Sequence, residues 1–221
     1  MALILSIETS TTNCSVSLSK EGEILALKED NNKGYSHAES LHLFIDEVLK
    51  QSNIKVEQLD AIAISKGPGS YTGLRIGVST AKGLCFAIDK PLIAISTLES
   101  LSQKVNVQSG YIVPMLDARR MEVYSAIFDA NHNKIREVEA QILDKNSFSE
   151  YLSKDNVYFI GNGVPKTETL IEHPNAHFVK DELPSANEMA KLAYNKYKKS
   201  DIEDVAYFEP YYLKDFIAVK S

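Results

Sequence analysis

Apolar residues recur with two different periods along the first half of the chain. Short apolar and β-branched runs are typical of strands, whereas apolar residues at every third or fourth position are typical of helices. The stretch 36–51 shows the helical period, with Leu41 and Ile45 on one apolar stripe. Ser36 and Glu39 have the spacing of a capping box at its start. In chain order the predicted elements are strands 2–8, 14–19 and 22–29, helix 36–51, strand 59–65, a helix from about 69, strand 91–96 and a helix from about 97.

The same order of elements returns in the second half. Antiparallel strands followed by alternating helices and strands fit a mixed sheet flanked by helices. The pattern predicts an α/β protein of two βββαβα units, each ribonuclease H-like, as in the actin-like ATPase (ASKHA) fold. We expect a first lobe at 1–105, a second at 106–200, and a tail, 201–221, that packs back on the first lobe. The second series comprises strands 111–116, 121–128 and 134–143, a helix near 147–154, strand 157–161 and a helix at 185–199.

Composition narrows the classes of function. The 221 residues carry 24 basic and 30 acidic side chains, a net charge of −6, whereas a chain that grips nucleic acid alone is usually basic. The two cysteines, Cys14 and Cys85, cannot form a disulfide framework, so we expect both to be buried in a reducing compartment. No apolar run reaches the roughly 20 residues that span a bilayer, and the start lacks a signal peptide. We therefore expect a cytoplasmic protein without a membrane partner.

The segment "AISKGPGSYTGLRIGVSTAKGLC", residues 63–85, leads from a strand through a glycine-rich turn into a helix. Such turns often hold phosphate, but the spacing fits neither a Walker loop nor a dinucleotide fingerprint. Instead, Gly69, Gly73, Gly77 and Ala81 lie four residues apart on one ridge of the helix. Interior glycines weaken a helix, so another backbone must approach this ridge closely. Packing on the chain's own helix or sheet and packing on another protein both explain the ridge.

Four stretches resemble one family closely: "ILSIETSTTNCSVSL", "HAESLHLFIDEVL", the long glycine segment with its flanking strands, and "MLDARRMEVYSAIF". They resemble the TsaB (YeaZ) family, accessory subunits of the bacterial machinery that makes N6-threonylcarbamoyladenosine in tRNA. The resemblance implies a two-lobed actin-like fold and a paralogue, TsaD, of the Kae1 or Gcp-like group, that carries the transferase activity. It also implies a non-catalytic scaffold that binds and activates TsaD for modifying adenosine 37 of tRNAs reading codons that begin with A.

The resemblance further implies that first-lobe helices at about 36–51 and 69–88 dock on TsaD, and that the same surface can form a homodimer. The TsaE ATPase joins the complex, and tRNA is met only indirectly. On this basis Gly73→Arg or Gly77→Arg is expected to abolish pairing while the chain stays folded. The predicted interface residues are His37, Leu41, Ile45, Gly69, Tyr71, Thr72, Gly73, Arg75, Gly77 and Val78.

The resemblance also directs attention to nucleotide and metal sites. In actin-like phosphotransferases the hairpins after the first strand of each lobe hold phosphate with glycines, which both hairpins lack here. We expect no tightly bound cofactor on the isolated chain, ATP or ADP only in the assembled complex, and a metal carried by the partner. Thr97 and Leu101 stand where TsaD-like chains have two metal-binding histidines, and neither is an imidazole ligand. A remnant nucleotide site would comprise Thr9, Ser10, Thr11, Asp117, Gly161 and Gly163.

Two clusters of basic residues each allow two interpretations. Arg119 and Arg120 in a hairpin turn, and the cluster Lys196–Lys199 at a helix end, either touch tRNA or are ordinary solvated features, the second being the stronger interpretation. Two other functions stay as alternatives to the scaffold. One is an autonomous ATPase or small-molecule kinase, and the other is a metallopeptidase, which has almost no support without a set of metal ligands.

Overall fold

The computed structural model describes residues 1–31 and 37–214. The chain divides into two units, each built on one five-stranded sheet. The first unit is Met1–Thr97 with Ser185–Ser221, and the second is Leu98–Pro184. The elements are β1 Leu3–Glu8, β2 Cys14–Lys20, β3 Glu23–Asp30, α1 His37–Gln51, β4 Ala61–Ser65, α2 Tyr71–Ile88, β5 Leu92–Ile95, α3 Thr97–Ser102, β6 Tyr111–Asp117, β7 Glu122–Asp129, β8 Lys134–Ile142, α4 Ser149–Leu152, β9 Val157–Ile160, α5 Val164–Glu168, β10 Ala176–Val179 and α6 Ala186–Lys198.

The sheet of the first unit is mixed and covered on both faces. Its order is β3-β2-β1-β4-β5, with β1 antiparallel to β2 and parallel to β4. Because side chains alternate along a strand, Leu5 and Ile7 pack with α1 and α2, whereas Ile4 packs with α6. Cys14 and Cys85 are buried in the first of these cores, as the sequence predicted. Burial raises the pKa of Cys14 to about 11 and that of Cys85 to about 12.

The last helix, α6, corrects the predicted lobe boundary. The sequence interpretation assigned it to a second lobe at 106–200, but it belongs to the first unit. Its buried residues Ala186, Met189 and Ala193 are small or unbranched, and they pack against a sheet face that carries Ala61 and Ala63. The helix that covers the first sheet therefore follows the whole second unit in sequence. The helix is capped by Ser185, whose Oγ accepts a hydrogen bond from the Asn187 N–H at 3.2 Å.

Residues 201–214 pack on the first unit. The Glu203 N–H donates to the Leu92 carbonyl at 2.8 Å, which extends the sheet beside β5. The Lys82 ammonium on α2 donates to the carbonyls of Ala206 and Phe208, at 3.1 and 2.9 Å. Phe208 itself packs against the core beneath α1 and α2. This segment therefore contacts both an edge strand and a helix.

The second unit repeats the arrangement with shorter helices. Its sheet has the order β10-β9-β6-β7-β8, and apolar clusters lie around Phe159 and around Ile112. The parallel strand β10 was not predicted, since Pro174 and Asn175 indicated a loop around His173 and His177. Its four half-exposed residues show too short an alternation to be recognised. Along residues 1–31 and 37–214, no helix combines the length and apolarity that crossing a membrane requires.

Most predicted bounds of the longer elements agree with the structure to within about two residues. The predicted helix 36–51 is α1, His37–Gln51. Its proposed cap, Ser36, lies outside the described residues. The fold is that of an actin-like protein with two βββαβα units, as the order of elements predicted.

Candidate functional site

The glycine ridge of α2 faces the chain's own turn between β1 and β2. A Cβ atom at Gly69 or Gly73 would lie closer than 3.0 Å to the backbone of Ser10 or Thr9. At Gly77 it would meet the Thr9 hydroxyl equally closely. The interpretation that these glycines form a surface for another protein is therefore wrong. The alternative of packing within the chain is right, and the approaching group is a turn at the end of the sheet.

This packing also overturns the expectation for the arginine variants. Gly73 and Gly77 are buried, and the ridge has no space even for a methyl group. Gly73→Arg and Gly77→Arg would displace the turn that holds α2, so neither variant leaves the chain folded and unchanged. Loss of pairing in these variants would report on folding and not on an interface.

The other predicted interface residues divide between the core and the surface. Leu41, Ile45 and Val78 are buried in the core under α1 and α2, so they cannot meet a partner directly. The ring of Tyr71 is half-buried and lies 5.0 Å from that of Tyr212. His37 is buried as well, and its Nε2 donates to the Thr11 carbonyl at 2.7 Å. Of the predicted set, Thr72 and Arg75 are exposed.

The exposed side of α2 carries residues that the sequence interpretation missed. Ser79 and Phe86 follow Thr72 at intervals of seven, and Gly83 lies between them on the same stripe. A Cβ at Gly83 would meet no heavy atom within 4 Å, and the Phe86 side chain is 86% exposed. The signal was present, because small residues follow a helical period on this side also. We name this surface the outer face, made of Thr72, Arg75, Ser79, Gly83 and Phe86 of α2 with His42, Leu43 and Asp46 of α1.

Two of the three hydroxyl groups after β1, those of Thr9 and Thr11, have hydrogen-bond partners within the first unit. Thr9, Ser10 and Thr11 are at most 5% exposed. The Thr9 Oγ1 donates to the Gly73 carbonyl at 2.8 Å, and the Ser70 N–H donates to the Ser10 carbonyl at 2.7 Å. In place of a phosphate, the first residues of α2 fill this turn. These contacts give the turn a structural role, and its place in a remnant nucleotide site stays a prediction.

The side chain of Glu8 forms a hydrogen bond within the same turn. Its Oε1 accepts a hydrogen bond from the Ser10 N–H at 2.6 Å, and the side chain is fully buried. Burial raises the pKa of Glu8 above its ordinary value, and hydrogen bonds from Ser10 and Ser65 oppose that rise. The carboxyl group thus acts on its own turn and is shielded from solvent.

The corresponding hairpin of the second unit is filled by a lysine. The ammonium group of Lys166, on α5, donates to Asp117 Oδ1 at 2.8 Å and to the carbonyls of Arg120 and Glu122 at 2.6 and 3.1 Å. Asp117 Oδ1 also accepts from the Arg119 N–H at 2.6 Å. The Lys166 ammonium therefore gives Asp117 a structural role in this turn, and a part for Asp117 in a nucleotide site stays a prediction.

Gly161 and Gly163 are required for packing on β6. Gly161 has φ +112°, a conformation that favours glycine, and a Cβ there would collide with the Met115 carbonyl. A Cβ at Gly163 would lie 2.9 Å from Val123 Cγ1. These glycines let the turn after β9 approach its neighbours closely, and their place in a remnant nucleotide site stays a prediction.

The positions of the missing histidines do not fit a metal. The Thr97 Oγ1 lies 2.6 Å from the Ser65 Oγ, and the isobutyl group of Leu101 is buried. Within residues 1–31 and 37–214, no group of three or more His, Cys, Asp and Glu side chains is arranged to hold an ion. A reaction metal therefore finds no ligand set in the described part of the chain.

The two basic groups lie at the surface. Arg119 and Arg120 are exposed in the β6–β7 turn, with φ of +69° and +47°. Lys196 pairs with Asp201 at 2.9 Å, and the Lys198 ammonium lies 4.6 Å from the centre of the Tyr194 ring. Local partners account for Lys196 and Lys198, and contact with tRNA stays a prediction.

Comparison with known proteins gives consistent relatives across the whole length. Residues 32–220 match the family model described as "TsaD: tRNA N6-adenosine threonylcarbamoyltransferase". The chain is 30% identical to the tRNA threonylcarbamoyladenosine biosynthesis protein TsaB of Haemophilus influenzae, covering 99% of this chain and 96% of that protein. It is equally identical to TsaB of Escherichia coli K12, covering 99% and 97%.

A solved structure agrees with these relatives. YeaZ from Pseudomonas aeruginosa superimposes with a TM-score of 0.82 at 26% identity, covering 96% of this chain and all of the other. A second Pseudomonas aeruginosa structure, described as similar to peptidase YeaZ, gives a TM-score of 0.86 at 26% identity, covering 97% of this chain and all of the other. The chain therefore belongs to the TsaB (YeaZ) family, which is related to TsaD.

Proposed function

We propose that this chain is a non-catalytic accessory subunit of tRNA threonylcarbamoyladenosine biosynthesis, which binds TsaD and activates it. The names of its relatives support the pathway, since they are called biosynthesis proteins for this modification. The match to the TsaD family model supports a paralogous partner. The product would be N6-threonylcarbamoyladenosine at position 37 of tRNAs that read codons beginning with A.

The main support for a non-catalytic role is that groups from later helices occupy both hairpins. In the first unit the residues at the start of α2 occupy the Thr9–Thr11 turn, and in the second unit the Lys166 ammonium occupies the turn after Asp117. Neither turn contains a glycine of its own that would let phosphate oxygens approach its backbone. These contacts argue against the alternative of an autonomous ATPase or small-molecule kinase. We therefore expect the nucleotide and the metal of the reaction to be bound in the assembled complex and by the partner.

The outer face is the surface that we assign to TsaD. Its central residues Ser79 and Gly83 are small and exposed, so a partner helix can approach α2 closely. Leu43, 62% exposed, and Phe86 provide apolar area at its edges. Docking that favours a competent conformation of TsaD would activate it by shifting a population. The same face would serve a homodimer when TsaD is absent.

The remaining partners follow from this arrangement. TsaE would join the complex of this chain with TsaD rather than bind a site described here. With a net charge of −6, the chain contributes little of the counterion release that drives tRNA binding. We therefore expect tRNA to be held chiefly by the other subunits.

A reconstituted modification assay tests the function. The reaction contains tRNA, ATP, threonine, bicarbonate and the other components, with and without this chain, and the modified nucleoside is measured. We expect product only when this chain and TsaD are both present. Equal product without this chain, or ATP turnover by the chain alone, would show that the accessory assignment is wrong.

A substitution on the outer face tests the surface. Gly83→Arg places a large cation where the structure is open, so the chain should fold while its affinity for TsaD falls by about tenfold or more. Asn195→Arg, at an exposed position of α6, is the matched control and should bind as the wild type does. Normal binding by Gly83→Arg in a titration with TsaD would exclude this surface.

A further inference from the structure

The turn of Thr9, Ser10 and Thr11, which we name the hydroxyl turn, contacts the beginnings of both helices of the outer face. At α2 the contact has two hydrogen bonds, from Thr9 Oγ1 to the Gly73 carbonyl and from the Ser70 N–H to the Ser10 carbonyl. The glycine ridge adds van der Waals contact along the first two turns of the helix. The position of α2 is thus set by this turn at the end of the sheet.

At α1 the contact is made by a single side chain. The Nε2 of His37, the first residue of α1, donates to the Thr11 carbonyl over 2.7 Å. His37 is 2% exposed, so this bond lies in the interior. One three-residue turn therefore joins the two helices at the ends where they leave the sheet.

The hydroxyl turn is held in place before any partner arrives. The Ser10 N–H donates to Glu8 Oε1 at 2.6 Å, and the Asn13 N–H donates to Thr11 Oγ1 at 3.3 Å. Thr9 is 0% exposed, so its side chain cannot touch another protein. Any effect of Thr9 on docking must therefore pass through α2.

We propose that the hydroxyl turn positions α1 and α2 for docking on TsaD, with Thr9 as the positioning residue for α2. The inference rests on the proposed function and adds to it. A pair of helices whose separation is fixed in the free chain loses less conformational entropy on docking than a pair that must be ordered by the partner. The turn that binds phosphate in actin-like phosphotransferases would thus contact the helix α2 in this chain.

Three variants of the full chain separate this role from general stability. Thr9→Val keeps the shape of the side chain but removes the bond to Gly73. Because a hydrogen bond contributes up to about 1.5 kcal/mol net, we expect the Kd for TsaD to rise by up to about tenfold. Thr9→Ser restores the hydroxyl and should return the Kd to the wild-type value. Thr167→Val is the matched control, because Thr167 is equally buried and its hydroxyl donates to a glycine carbonyl, that of Gly163 at 3.0 Å, in the second unit, so it should leave the Kd unchanged.

The outcomes distinguish this inference from the function on which it rests. A Thr9→Val chain that binds TsaD as tightly as the wild type overturns the positioning role alone, and so does equal weakening by Thr167→Val. A wild-type chain that does not bind TsaD overturns the proposed function as well. Circular dichroism of each variant, before the titration, shows whether it has folded.

Hydrogen exchange on the unsubstituted chain gives a second test if Thr9→Val does not fold. The Ser70 amide donates to Ser10, so in the free chain it should exchange as slowly as amides in the middle of α2. Exchange at the rate of an unstructured peptide would show that the turn does not hold α2 before docking, and it would overturn the proposal.

Discussion

At the scale of single residues, two glycines of the same helix have opposite surroundings. The backbone of Thr9 stands where a Cβ of Gly73 would be, whereas Gly83 has no neighbour within 4 Å of its own Cβ position. Both lie inside α2, where glycine costs helix stability relative to alanine. The cost at Gly73 is offset by the close packing of the hydroxyl turn, and the cost at Gly83 is not offset within the described chain.

This difference predicts opposite effects of the same substitution. Gly73→Ala should lower the free energy of unfolding by about 1–3 kcal/mol, because the methyl group overpacks the turn. Gly83→Ala should raise it by about 0.5–1 kcal/mol, because it gains helix propensity without a clash. Urea unfolding followed by circular dichroism measures both, since the chain has no tryptophan. Equal effects of the two variants would contradict the assignment of the buried and the outer side of α2.

At the scale of elements, the two hairpins show one principle with different chemistry. Each follows the first strand of its unit, and each is satisfied by a group from a later helix. In the first unit the group is helix backbone beside glycines, and in the second it is a lysine side chain that is 15% exposed. In each unit, therefore, the group that occupies the hairpin comes from a helix later in the chain, α2 in the first unit and α5 in the second.

A lysine substitution tests the second hairpin. Lys166→Met keeps the length of the side chain but leaves two carbonyls and a carboxylate without their cation, so the free energy of unfolding should fall by about 1–3 kcal/mol. Lys180→Met is the control, because the Lys180–Glu168 pair is largely exposed, with 59% and 41% of the side chains accessible, and should contribute at most about 1 kcal/mol. If the two variants had equal stability, the ammonium of Lys166 would not be holding the turn.

At the scale of the whole molecule, the first unit is discontinuous in sequence. Residues 1–97 supply its five strands, and α6, which follows the entire second unit, covers one face of the sheet. Ile4, Ile93 and Ile95 on that face are fully buried. Without α6 this apolar face would meet water, at about 25 cal/mol for each Å² exposed.

A fragment experiment follows from this topology. Residues 1–97 alone should lack a cooperative unfolding transition, because one face of their sheet has no cover. The same residues joined to 185–214 by a flexible Gly/Ser linker should regain it. Thermal unfolding of both fragments, followed by circular dichroism, provides the measurement. A cooperative transition in residues 1–97 alone would show that α6 is not required for this unit.

Much of the fold could be read from the sequence, because the longer helices bury one side and the central strands are short runs of apolar residues buried on both sides. The strands from β1 to β9 and the helices α1, α2 and α6 have periodic apolar residues, and the order in which they follow one another indicates the two βββαβα units. The short elements α5 and β10 were missed because they lack the continuous buried apolar run that marks the equally short strands β5 and β9. For the proposed docking surface, most residues that the sequence indicated on α1 and α2 are buried, whereas Thr72 and Arg75 are exposed.

The sequence by itself determined that α2 needs close packing on one side, since Gly73 and Gly77 cost helix stability that only such packing offsets. Only the tertiary structure decided which side of the helix meets the hydroxyl turn and which meets solvent. Likewise, the amphipathic pattern of α6 required a sheet to cover but did not specify which one. The physical reason is the same in both cases: periodicity records that a side is buried, whereas the identity of the burying surface depends on contacts between residues far apart in the chain.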